Sequence, residues 1–121
     1  MPEHGEDEYI RIVNEYKSNI IVPDPKGHPG MTYDQRQATD AIANGAIYGC
    51  NKILQSLHKE VFKHPLLIAE EWIFRFSECV SHYERSCDED PYNKSIQYMF
   101  KYFEAAHDAA TEILDIFEAM F

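Results

Sequence analysis

The sequence predicts an all-α protein: a compact helical bundle of three long helices plus a shorter N-terminal helix, in a single domain spanning residues 1–121. Three observations point there. Apolar residues recur three and four apart in four segments, about 6–19, 32–63, 65–85 and 91–120. Proline-bearing breaks separate these segments at 23–30, 64–65 and 86–91. No stretch alternates polar with apolar residues around a hairpin turn, so nothing argues for strands.

The first segment places Tyr9, Ile10, Val13, Tyr16 and Ile20 at helical spacing, with Asp7 and Glu8 early, where a helix N-terminus favours acids. It runs into Asp24-Pro-Lys-Gly-His-Pro-Gly30, which no helix survives. Thr32-x-x-Gln35 then reads as a capping box opening the second helix. An apolar stripe follows: Ile42, Ala46, Cys50, Ile53, Leu57 and Val61. Beside it runs a ridge of small residues, Ala38, Ala41, Gly45 and Gly49. A mid-helix glycine costs about 1 kcal/mol relative to alanine. Close approach of a second backbone is the usual offset, from a helix of the same chain or from a partner or second copy, and a flat ligand lying over the ridge is the other reading.

His64-Pro65 opens the third helix, since proline suits a first helical position. This segment is apolar almost all round, and Trp72 and Phe74 cannot both point into one core. Such a helix belongs at the centre of a bundle or against a partner. Asp90 and Pro91 are expected as cap and first residue of the fourth helix. Its seam is regular: Tyr92, Ile96, Met99, Phe103, Ala106, Ala110, Ile113, Phe117 and Met120, with Lys101, Asp108 and Asp115 on the opposite, solvated face.

Charge narrows the function. There are 21 acids against 11 Lys and Arg, a net charge of −10. That balance opposes direct nucleic-acid binding or docking on an anionic membrane. No apolar run reaches the roughly 18 residues of a membrane span. Three cysteines without scaffold spacing suggest a reducing, cytoplasmic setting, the host cytoplasm if the protein is viral. The acids are patchy. Residues 32–63 carry 3 acids and 4 Lys or Arg, whereas residues 64–90 carry 7 and 2. From Glu104 onward there are five acids and no Lys or Arg, so Asp115 and Glu118 oppose the helix dipole at its negative end.

Chemistry-bearing motifs are sparse. No Gly-x-Ser-x-Gly, phosphate-binding glycine loop or His-Glu-x-x-His occurs. Glu104-x-x-His107 is half of a di-iron motif without its second half, and Cys79, His82, Cys87 and His64 lack paired Cys-x-x-Cys spacing. No metal and no cofactor is expected. Arg75 and His82 share one helix face, and this Arg-x6-His spacing in an all-α chain resembles the motif of HEPN ribonucleases. The resemblance implies a homodimer in which the histidine moves a proton and the arginine steadies phosphorane-like charge. It covers these two residues alone, and Phe76 stands where that family usually has a polar residue.

The reading with most support is a small acidic helical inhibitor that occludes a basic partner, a nuclease or nucleic-acid-binding complex. In class it looks like nuclease-immunity proteins and phage-encoded anti-CRISPR or anti-defence proteins. Glu104, Asp108, Glu112, Asp115 and Glu118 form the expected acidic surface, with Asp88, Glu89 and Asp90 as a second patch and Tyr98 and Tyr102 as aromatic anchors. The alternatives are the HEPN-like homodimeric ribonuclease and a structural homo-oligomer built on the Ala41-Gly45-Gly49 ridge.

Overall fold

In a computed structural model of the protein, residues 6–22 and 30–120 are described. They form four helices and no strand: α1 (Glu6–Ser18), α2 (Tyr33–Lys59), α3 (Pro65–Glu89) and α4 (Lys94–Glu118). These run 13, 27, 25 and 25 residues. The Asp24–Pro29 part of the expected loop, together with Glu3 and the side chains of Glu6 and Asp7, lies outside the described residues.

Local chemistry sets the helix ends. Thr32 Oγ1 accepts from the Gln35 N–H at 3.1 Å while Gln35 Oε1 accepts from the Thr32 N–H at 2.9 Å, a complete capping box. At α3, His64 Nδ1 accepts from the Leu66 N–H at 3.1 Å, with Pro65 in the first turn. The fourth helix departs from expectation. Asn93, not Asp90, is its cap, with Oδ1 accepting from the Ile96 N–H at 3.2 Å. Asp90 instead ends α3 by donating its N–H to the Ser86 carbonyl, and its carboxylate holds Asn93 Nδ2 at 3.1 Å. That hydrogen-bonded turn moves the start of α4 past Pro91 and leaves Tyr92 outside the helix, 89% exposed. α2 likewise stops at Lys59, because Glu60 adopts a non-helical backbone, so Val61 leaves the stripe and is exposed.

The most extensive packing joins α2 to α4, followed by α3 to α4. Four pairings fix the first of these. Asp34 meets Lys94, Asp40 meets Tyr98, Gly45 lies against Tyr102 and Gly49 against Ala106. Both sequences advance together, so α2 and α4 run parallel. α3 runs back antiparallel to α2, with Trp72 on Ser56 and Phe76 beside Tyr48, and Tyr83 stacks on Phe103 of α4 at 5.6 Å. α1 is antiparallel to α4, since Tyr9 meets Phe117 at 4.9 Å and Tyr16 meets Glu112 further back along that helix.

The α2–α4 approach depends on small residues. A Cβ on Gly45 would lie 1.9 Å from the Tyr102 carbonyl oxygen, and one on Gly49 would lie 2.9 Å from that of Ala106. Ala41, Ala105, Ala106, Ala109 and Ala110 are buried along the same seam. Ile42, expected in the core stripe of α2, is therefore half outside at 52% exposure, because a close backbone crossing selects its smaller neighbours for the inside. One apolar cluster, including Tyr9, Val13, Cys50, Ile53, Leu57, Ile68, Phe76, Ile113 and Phe117, is contributed by all four helices.

Candidate functional site

With its apolar seam turned inward, α4 presents Glu104, Asp108, Asp115 and Glu118 to solvent. Helical spacing places these four on one stripe. Among the described residues, Glu104, Asp115 and Glu118 form no ion pair, and Asp108 has only His107 Nδ1 at 3.7 Å, which is a charge contact when that histidine is protonated. Some acids elsewhere do have cations. Glu15 holds Arg11 at 2.7 Å, Glu71 holds Lys63 at 2.7 Å and Asp34 holds Lys94 at 2.8 Å. The α4 stripe is thus a run of carboxylates that the fold itself does not neutralise, ending at the negative pole of the helix.

Glu112 stands apart from the other four. It accepts a hydrogen bond from the Tyr16 hydroxyl and ties α1 to α4. Burial, followed by the hydrogen bond to Glu112, pushes the Tyr16 pKa well above the ordinary tyrosine value. In the second patch Asp88 and Glu89 are exposed at the end of α3, while Asp90 builds the turn already described.

Tyr98 and Tyr102, expected as partner-facing anchors, are half-buried between α2 and α4. The Tyr98 hydroxyl donates to Asp40 Oδ2 at 2.8 Å and accepts from Asn44 Nδ2 at 3.2 Å. Tyr102 packs edge-on to Tyr48 at 5.3 Å. Desolvation raises both phenol pKa values. These rings hold the bundle together, a role visible only once α2 is known to lie alongside them.

The small-residue ridge has an internal occupant. Ala41, Gly45 and Gly49 are buried against α4 of the same chain, and Ala38 is half-buried beside the first turn of α4. Their surface is already covered, leaving none of the three for a second copy.

Arg75 and His82 are both exposed on α3. The Arg75 guanidinium lies over the Trp72 ring, 4.7 Å from its centroid, and His82 meets Tyr83 edge-on at 5.0 Å. Trp72 turns inward, donating Nε1–H to Ser56 Oγ at 2.8 Å and packing on Phe76. Phe74 consequently points out and is 65% exposed.

Among the described residues no group of three or more His, Cys, Asp or Glu side chains could hold a metal ion. His64 is engaged as a helix cap. All three cysteines are free thiols. Burial pushes Cys50 up to about 11 and also raises Cys79, which opposes a thiolate nucleophile at either position.

Sequence reasoning missed the apolar surface at the α2–α3 end. Phe62 is fully exposed, and Val61 and Leu67 are each 54% exposed. Leu67 and Phe74 lie seven residues apart on one face of α3, with Glu70 and Glu78 one turn to either side of Phe74. Large exposed apolar side chains grouped in this way mark contact surfaces more often than isolated ones do. The conflict between Trp72 and Phe74 was the available signal for Phe74. Phe62 had none, because its exposure depends on α2 ending at Lys59.

No helix among the described residues is long and apolar enough to cross a membrane. Comparison with protein-family models, with characterised proteins and with solved structures found no match to this chain.

Proposed function

We propose that the protein is a helical protein-binding inhibitor acting in the cytoplasm, one that covers the basic surface of a nucleic-acid-handling partner. The observation that carries this reading is the exposed, unneutralised carboxylate stripe Glu104–Asp108–Asp115–Glu118 on α4. Each of the last two acids opposes the helix dipole and costs a few tenths of a kcal/mol in stability. A binding role offsets that cost, since a cationic groove shaped for phosphates accepts carboxylates in their place. Apolar anchoring in this reading falls to Phe62, Leu67 and Phe74, three of the large side chains that remain outside the core, rather than to Tyr98 and Tyr102. The occlusion mechanism is the one used by the class of nuclease-immunity and anti-defence inhibitors.

The test is affinity capture of the tagged protein from a lysate of its source or host cell, at low and high salt. The expected result is one stoichiometric, basic partner released by salt. A variant carrying Glu104→Gln, Asp108→Asn, Asp115→Asn and Glu118→Gln should lose the partner while keeping its melting temperature or gaining a few degrees. Undiminished capture by that variant, or recovery of the protein alone, overturns the proposal.

A further inference from the structure

Between the first turns of α2 and α4 lies a cavity of about 420 Å³, within the range that holds a small organic molecule. Its lining carries more base than acid, against the balance of the chain as a whole. Ala38 and Met99 give it apolar surface and Tyr33 and Tyr98 give it aromatic surface, while Lys94 and Lys101 stand against a single acid, Asp34. The Tyr98 hydroxyl is committed to Asp40 and Asn44, so what remains of that side chain for the cavity is its ring.

The two lysines differ. Lys94 Nζ is held by Asp34 at 2.8 Å and is neutralised within the fold. Lys101 makes no ion pair and no side-chain hydrogen bond among the described residues. One uncommitted ammonium beside an aromatic and aliphatic cavity matches a ligand with one negative charge and a flat apolar body. A phosphate monoester or a dicarboxylate would need a second free cation, and none lines this cavity. The parallel arrangement of α2 and α4 brings two positive helix ends to the same place, which favours the same sign of ligand.

We propose that this cavity is a binding site for a planar aromatic monocarboxylate, with the ring beside Tyr33, Tyr98 and Met99 and the carboxylate on Lys101 Nζ. The proposal does not rest on the function of the α4 acidic stripe, although Lys101 lies on the same face one turn before Glu104.

Two-dimensional amide NMR with naphthalene-2-carboxylate as the probe tests it, with 2-naphthamide as its neutral isostere. The expected result is saturable shifts confined to residues near 33–38 and 94–101, with the amide binding about tenfold more weakly, the loss expected for one charge-assisted hydrogen bond. Lys101→Gln, an exposed substitution that leaves the fold intact, should abolish the difference between the two compounds, whereas Lys52→Gln should preserve it. Shifts that do not saturate at millimolar concentration, or that map elsewhere, overturn the site. Equal binding of acid and amide to the unmodified protein, or an unchanged preference in Lys101→Gln, overturns the assignment of Lys101 and of an anionic ligand.

Discussion

Replacing Gly45 by alanine tests the α2–α4 crossing directly, because two effects of opposite sign meet at one atom. In an exposed helix the change should stabilise by about 1 kcal/mol through helix propensity. Here the added Cβ lies 1.9 Å from the Tyr102 carbonyl oxygen, against the 3.0 Å below which such contacts essentially never occur. The obstructing atom is backbone, so no rotamer change relieves it, and α4 must move by at least about 1.1 Å. A radial gap of that size forfeits a quarter to a half of the dispersion energy along the seam. Overpacking of this kind costs about 1–3 kcal/mol. Set at the upper end against the propensity gain, the net loss is about 2 kcal/mol, or roughly 8 °C in melting temperature for a chain of this length. Gly49→Ala meets the Ala106 carbonyl oxygen at 2.9 Å, barely inside the limit, so propensity nearly balances the clash. Thermal denaturation followed by circular dichroism at 222 nm should therefore rank Gly45→Ala well below Gly49→Ala, with Gly49→Ala close to the unmodified protein. A Gly45→Ala protein that melts at or above the original would refute the parallel, backbone-close crossing.

Further outcomes follow from other contacts. Ser56→Ala removes the partner of the Trp72 indole N–H and should cost about 1 kcal/mol, measured by urea unfolding through the emission of the single tryptophan. Thr32→Ala breaks the capping box and should lower stability by about 1 kcal/mol, read as a melting temperature about 4 °C lower. The Cys50 thiol is fully buried, so a disulfide reagent at pH 8 should leave it unmodified in the native protein and label it in guanidinium. Cys50 and Tyr16 both have folded pKa values above their ordinary ones, so the folded state favours their neutral forms. Their contribution is intact below about pH 9 and is lost as pH rises through about 11 for Cys50 and higher for Tyr16. The urea midpoint should fall over that alkaline range, less steeply in Cys50→Ala, and an unchanged slope in that variant would contradict the assignment.

What the sequence made legible is what neighbouring residues decide between themselves. Thr32 and Gln35 are three residues apart, and their reciprocal capping needs no other part of the chain. The cost of two mid-helix glycines was equally readable, and it called for a backbone neighbour, but propensity cannot say which helix supplies it. The incompatibility of Trp72 and Phe74 was visible in their spacing. Which one turns inward is settled across the bundle, by Ser56 on α2 and Phe76 on α3. The remaining errors share that origin. Apolarity points Ile42 into the core, yet the closeness of α4 admits Ala41 and excludes it. Tyr98 and Tyr102 flank the α4 seam, which points to surface anchors, whereas their contacts with Asp40 and Tyr48 lie across the bundle on α2. Within the acidic run of α4, Glu104, Asp108, Asp115 and Glu118 share a face by spacing alone, whereas the tie of Glu112 to Tyr16 of α1 depends on how the helices pack.

The parallel pairing of α2 with α4 also constrains the order in which the chain can fold. α2 carries Gly45 and Gly49 in its middle, a burden of about 2 kcal/mol on a helix standing alone. The backbone that makes those glycines worthwhile arrives more than fifty residues later, after α3 has been built and has turned back. During synthesis α2 therefore emerges as a weak helix with an open seam, and its centre becomes secure when α4 closes on it. The two helices rise and melt as one cooperative unit, so local damage in the Ala105–Ala110 stretch should loosen amide-exchange protection around Gly45 as readily as in α4 itself.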